Sequence, residues 1–277
     1  MKKSYQKAAR QRKEGVNYKH DLGQHFLYDE ALLSALVKST SVTKDDKVLE
    51  IGPGSGMLTY QLCQEAGQVI AVEVDQDVLP FLRMKTEGFD NLTIVVGDIR
   101  KQPIRELCAP LGEDFFVIAN IPYNITSPIL DLLWESGLSI RQLSLMVQKE
   151  VADKLLALPG DDAYGLLSAR CRYYAEPELE AIVPAEAFTP PPKVDSAFIH
   201  LRMRKEPLAP VTNEKLLMRM MKDGFGHRRK TLTNALKGTV DGEKLAAAME
   251  AQGLKPTVRA EELTTENWIA LSNACAE

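Results

Sequence analysis

One glycine-rich turn, two strand-end carboxylates and one five-residue segment carry the residue types from which a reactive site could be built. The turn is EIGPGSG, with glycines at 52, 54 and 56 directly after the apolar run KVLEIG. Glycine lets the chain adopt turns closed to other residues, so a nucleotide-type ligand can lie against bare backbone there. The helix that follows would offer free N–H groups. A glycine turn alone also serves as a plain tight turn. Glu73 and Asp98, each closing a further apolar run, add chemistry to it. A carboxylate at 73 would accept hydrogen bonds from both hydroxyls of a ribose, and one at 98 would receive the amino group of an adenine.

The segment is NIPYN, residues 120–124, at the end of the run FFVIAN. It sets a side-chain amide, a rigid proline and an aromatic ring within four residues. An exocyclic amine on a purine is a poor nucleophile, because its lone pair is delocalised into the ring. The side-chain oxygen of Asn120 and the carbonyl of Ile121 could accept the two N–H hydrogens. That pulls the nitrogen toward a tetrahedral shape and aims its lone pair at an electrophilic methyl. Tyr123 would stack on an extruded base, worth roughly 1–3 kcal/mol. No strong base is needed, so the catalysis would be positioning and electrostatics. Attack on cytosine C5 would need a cysteine nucleophile, and none lies in this segment.

Other nucleotide chemistries fit less well. A dinucleotide turn reads GxGxxG, whereas the spacing here is GxGxG, with Gly56 one residue early. No GxxxxGK[ST] occurs for a nucleoside triphosphate.

The elements around these residues predict a parallel sheet. Apolar runs at 47–52, 69–74, 92–97, 115–120 and 143–148 read as buried strands. Helical stretches near 29–39, 57–66, 76–86 and 127–136 alternate with them, giving βαβ units with helices on both faces. The runs 178–183 and 196–203, joined by FTPPPKVD (188–195), read as a hairpin that ends the sheet with an antiparallel edge. KEPLAPVTN (205–213) reads as a linker, and 213–277 show only helical periodicity. The expected domains are a basic arm over 1–21, an α/β domain over 22–205 and a helical domain over 206–277.

Composition bounds the rest. The 277 residues are 45% hydrophobic and 26% charged, with a net charge of −4. That suits a large packed core but is silent on nucleic acid. Four separated cysteines form no CxxC pair, and four histidines form no HExxH or i,i+4 pair, so no metal site is expected. No apolar run approaches a membrane span, and the basic N-terminus lacks the apolar stretch of a secretory signal. A cytoplasmic protein is expected, with no membrane partner.

Taken together, GQHFL (23–27), LEIGPGSGMLT (49–59), VEVD (72–75), GD (97–98), NIPYNITSPI (120–129), FTPPPKVDSAF (188–198) and GFGHRRKTLTNALK (224–237) resemble the ribosomal RNA small-subunit adenine N6,N6-dimethyltransferase family. The resemblance implies a Rossmann-like class I methyltransferase sheet with a small all-helical C-terminal domain, acting as a monomer. S-adenosyl-L-methionine would be the methyl donor. The substrate would be two adjacent adenosines in a hairpin loop near the 3′ end of 16S rRNA, within the small ribosomal subunit. Carried over by motif, the donor contacts are Gln24, His25, Leu27, Gly52, Gly54, Glu73, Asp98, Ile99 and Asn120. Tyr123 and Phe188 would flank the target adenine. The family usually has GQNF where this chain has His25, and Gln where it has His227.

The stretch 222–237 concentrates Arg228, Arg229, Lys230 and Lys237. These are the expected phosphate contacts, on a surface that reads RNA shape. Three alternatives compete with the leading reading. A macrolide-resistance enzyme acting on 23S rRNA would share the glycine turn and NIPY. A non-catalytic assembly factor need not bind the donor, and a nicotinamide dehydrogenase needs the missing GxGxxG spacing.

Overall fold

The computed structural model describes residues 24–276. The basic arm expected over 1–21 lies outside them. After a short strand, β1 (Phe26–Leu27), come helix α1 (Glu30–Ser39), β2 (Lys47–Ile51), α2 (Met57–Glu65), β3 (Gln68–Glu73) and α3 (Leu79–Lys85). They are followed by β4 (Leu92–Val96), α4 (Ile104–Cys108), β5 (Phe115–Asn120), α5 (Thr126–Glu135) and β6 (Ile140–Gln148). The first long helix starts where Asp29 caps it, its side chain accepting from the Leu32 N–H.

A seven-stranded sheet runs in the order β4-β3-β2-β5-β6-β9-β7, with β7 at Ala175–Val183 and β9 at Ser196–Met203. Strands β2 to β6 pair in parallel, and β9 pairs antiparallel with β6. The central strands are buried on both faces: Val48, Leu49, Val69, Val117 and Ile118 have no exposed surface. That is why they read as continuous apolar runs. In this order β2 is flanked by β3 and β5, so the carboxyl ends of β2, β3, β4 and β5 share one edge. The chain order reverses there, which is where open α/β sheets bind ligands.

One pairing was invisible in the sequence. Strand β1 pairs antiparallel with β8 (Phe188–Thr189), Leu27 opposite Phe188. It ties the start of the described chain to the FTPPP segment, which is a short strand as well as a loop.

The chain divides into two compact units, one of residues up to 152 plus 178–203, the other of 153–177 plus 204 onward. The expected boundary between 205 and 206 therefore needs correcting. Residues 153–177 belong with the C-terminal helices because Ala157, Tyr164 and Ala169 pack in the same apolar core as Leu217, Met220, Leu263 and Trp268. The Tyr164 hydroxyl also donates to the Leu263 carbonyl at 2.9 Å. Helix α6 (Lys149–Leu156) spans the boundary between the units. The second unit holds α7 (Leu166–Tyr174), α8 (Glu214–Gly226), α9 (Leu232–Ala235), α10 (Gly242–Ala251) and α11 (Thr265–Ala276). Among the described residues no helix is long and apolar enough to cross a membrane.

Candidate active site

A cavity of about 250 Å³ opens at the shared edge of the sheet in the first unit. After β2 the chain turns through Gly52 (φ 71°) and Gly54 (φ 55°). Both angles are left-handed, which glycine adopts freely and other residues rarely do. At Gly54 a Cβ would also run into the Phe26 ring.

Glu73 closes β3 beside this turn, with 4% of its surface exposed. Its Oε2 accepts the Gly54 N–H at 2.9 Å and its Oε1 accepts the Asp75 N–H at 2.8 Å. Burial pushes this carboxyl above the ordinary range, and those N–H groups pull it back. Each oxygen has two lone pairs, so after these bonds one remains on each. That is the acceptor set a ribose diol requires. The residues fit an adenosine-bearing ligand: a bare glycine surface and a carboxylate held rigidly by backbone.

Asp98 ends the next strand and is engaged differently. Arg100 grips it in a fork, Nε to Oδ1 at 2.9 Å and Nη2 to Oδ2 at 2.8 Å. Hydrogen bonding to Arg100 holds this carboxyl below the usual carboxylate range. Arg100 thus lines the cavity as a partner of Asp98, a role the sequence reading missed although it lies two residues on. Ile99 is buried and lines the same wall.

At the opposite wall Asn120 lies at the end of β5. Its Nδ2 donates to the His25 carbonyl at 2.9 Å. A carbonyl only accepts, so the amide is turned with its NH₂ end there and Oδ1 as the other end, in a residue that lines the cavity. The His25 Nδ1 donates to the Pro190 carbonyl at 2.8 Å, and its ring stacks on Tyr123 with centroids 5.3 Å apart and planes 24° apart. The Tyr123 hydroxyl is hydrogen-bonded to the Ser196 hydroxyl. Burial holds that phenol above its ordinary value, so it is neutral at physiological pH. Gln24 Nε2 donates to Asp75 Oδ2 at 2.7 Å, so residues 24–27 are tied to three separate segments of the chain.

The ten residues nominated as donor contacts or as the stacking tyrosine all line this one cavity. Phe188 does not. It is 2% exposed and sits in the core with Leu27, Phe116 and Phe198, because its pairing with β1 turns the side chain inward. The expectation that it flanks a bound base is corrected accordingly. Arg228 is exposed and also makes bonds within its own unit. Its guanidinium bonds Glu261 Oε2 at 3.2 Å and the Tyr164 carbonyl at 3.0 Å, inside the helical unit. Arg229, Lys230 and Lys237 are exposed in that unit. Ser196 and Pro190, which anchor Tyr123 and His25, were not singled out individually, although both lie inside the FTPPPKVDSAF motif.

Comparison with known proteins adds independent findings. A family model described as ribosomal RNA adenine dimethylase matches residues 15–277. The chain is 40% identical over 267 residues to ribosomal RNA small subunit methyltransferase A of Lachnoclostridium phytofermentans, covering 94% of this chain and 92% of that protein. It is 39% identical over 270 residues to the protein of the same name from Bacillus mycoides, covering 95% and 92%. Among solved structures, the 23S rRNA methyltransferase ErmE matches with a TM-score of 0.71 at 28% identity, covering 91% of this chain and all of that one. A dimethyladenosine transferase from Plasmodium falciparum matches with a TM-score of 0.76 at 24% identity, covering 89% and 96%, a likeness of fold.

Proposed function

The chain belongs to the ribosomal RNA adenine dimethylase family, and from that premise we propose that it transfers methyl groups from S-adenosylmethionine to N6 of two adjacent adenosines in a hairpin loop near the 3′ end of 16S rRNA. The substrate is the small ribosomal subunit or a precursor of it, in the cytoplasm, and the enzyme works as a monomer. The similarity to small-subunit enzymes at 39–40% identity supports this substrate over 23S rRNA.

The observation that carries the reading is the orientation of Asn120. With its NH₂ end committed to the His25 carbonyl, its oxygen is the group available to an amine. Asn120 Oδ1 and the Ile121 carbonyl accept the N–H hydrogens of the target nitrogen and draw its lone pair out of the ring. Tyr123 holds the everted base by stacking. Glu73 would take the donor's ribose hydroxyls, and Asp98 its adenine amino group on the lone pair that Oδ2 keeps beside its bond from Arg100 Nη2. Gly52, Gly54, Gln24, Leu27 and Ile99 complete the donor's enclosure. S-adenosylmethionine supplies the electrophilic methyl. The methylated nitrogen is cationic and gives its proton to water, so no residue here has to act as a strong base. Because the groups are fixed before reaction, no reorganisation is needed as charge develops.

Arg228, Arg229, Lys230 and Lys237 contact RNA phosphates, as does the basic arm over 1–21. The test is incorporation of labelled methyl into small-subunit particles from cells lacking the protein, set against protein-free 23S rRNA. Label in the particles, recovered as dimethyladenosine at two adjacent positions, is the expected result. Label confined to 23S rRNA assigns the macrolide-resistance reaction instead. Donor binding without transfer to either leaves an assembly factor.

A further inference from the structure

The wall opposite the glycine turn holds two aromatic rings in contact, and only one of them has a role so far. We propose that His25 is a positioning residue for the base-stacking ring: its imidazole backs one face of Tyr123, so that the target adenine stacks on the opposite face. This rests on the reading of Tyr123 given above.

Four observations support it. The rings are 5.3 Å apart and within 24° of parallel, already in the range of direct aromatic contact, so no base fits between them. The imidazole cannot drift off, because Nδ1 donates to the Pro190 carbonyl at 2.8 Å while the residue's own carbonyl accepts from Asn120 at 2.9 Å. Tyr123 is pinned at its far end by Ser196, so contact with His25 on one face fixes the remaining freedom of the ring, its tilt. Phe188, the other aromatic candidate for this wall, is buried in the core and outside the cavity. The side chain of His25 therefore acts through its flat face and its bond to Pro190, and its contribution to the reaction passes through Tyr123. The Asn usual at this position in the family offers a hydrogen bond without a ring, so the stacking contact is a feature of this chain.

The test uses full-length wild type, His25→Phe, His25→Asn and His25→Ala. Donor affinity is measured by calorimetry with S-adenosylmethionine alone, and KM and kcat by donor-saturated transfer to unmodified small-subunit particles. Thermal melting confirms that each variant is folded. His25→Ala and His25→Asn are expected to raise KM for the particles between about twofold and about tenfold, the range of one aromatic pair. His25→Phe is expected to lie within about twofold of wild type, and donor affinity to stay level in all four. Three results would overturn the proposal. Rescue by Asn but not Phe, with donor affinity falling in His25→Ala, would make the imidazole a hydrogen-bonding contact of the donor. A lower KM in His25→Ala would mean that the imidazole occupies the place of the base. An unchanged KM in every variant would leave the ring contact without consequence. Wild type that binds the donor but leaves particles unmethylated would refute the substrate reading itself, a result distinct from any ranking of variants.

Discussion

At the glycine-turn end of the cavity Glu73 is fixed by neighbouring backbone and Asp98 by the side chain of Arg100 two residues on, whereas at the Asn120 end the ligand-facing groups are fixed by partners far away in the chain. Glu73 is held by the N–H groups of Gly54 and Asp75, the first on the adjacent turn and the second two residues on. Asn120 is oriented by a carbonyl 95 residues away, and Tyr123 by a hydroxyl 73 residues away. The difference suits the two tasks. A small ligand of constant shape can be gripped by a rigid turn and the strand ends beside it. An everted base must be presented to within fractions of an ångström of the methyl, and misplacement is costly there. Several segments therefore converge on residues 24–27, which brace the base end while Gln24 reaches back to the donor end through Asp75.

Changes at the two ends should accordingly separate reaction rate from donor affinity. The largest effect is expected for Asn120→Ala. Single-turnover rates should fall about a hundredfold to a thousandfold, the loss typical of one preorganised polar group. Calorimetry should find the donor bound within a few-fold of wild type, and a rate near that of wild type would refute the role of the amide. Gly54→Ala reverses the pattern. A side chain at a left-handed position and against Phe26 should weaken donor binding at least about tenfold and cost roughly 1–3 kcal/mol of stability, read by calorimetry and by urea melts. Equal donor affinity in that variant would erase the contrast between the ends.

A smaller effect sharpens the account of the turn. Beneath it, Glu50 is fully buried, and neither carboxyl oxygen has a hydrogen-bond partner. Burial pushes the group from 4.5 up to about 8. The folded form therefore keeps its proton while the unfolded chain loses it. Stability contributed by this group is present below about pH 4.5 and is lost as pH rises toward about 8, at up to about 1.4 kcal/mol per pH unit. Glu50→Gln should remove that slope and stabilise the protein most at the alkaline end, as judged by urea melts across this range. An unchanged pH profile would contradict a neutral buried acid. The smallest effect belongs to the helical unit. Charge reversal at Arg229 or Lys230 should lower the slope of log affinity against log salt by about one for each lost phosphate contact. Arg228→Glu should lower the melting temperature as well, because that guanidinium bonds Glu261 and Tyr164. A salt slope unmoved at Arg229 and Lys230 would remove them from the RNA surface.

The same contrast explains what could be read without a structure. The parallel strands and the glycine turn were legible because their signals are local: double burial writes continuous apolar runs, and turn geometry writes glycines. Asn120 and Tyr123 were legible as types with a chemistry. Their fixation was not, since nothing near residue 120 points to His25 or Ser196. Phe188 shows the limit most clearly. An aromatic before three prolines says nothing of which way it faces, and two residues of β1 pairing turn it into the core. The division of the units was hidden for a related reason. Tyr164 and Ala169 carry apolar signals like any helix, and only the distant partners Leu263 and Trp268 assign them to the second core.

The central claim is that an amide oxygen at residue 120 faces the amine to be methylated. The measurement that tests it most directly is a structure of the protein holding the donor's thioether product and a hairpin RNA with the two target adenines. The account predicts N6 within hydrogen-bond distance of Asn120 Oδ1, with Nδ2 still on the His25 carbonyl. An N6 placed against Nδ2, or a base lodged out of reach of residue 120, would contradict it.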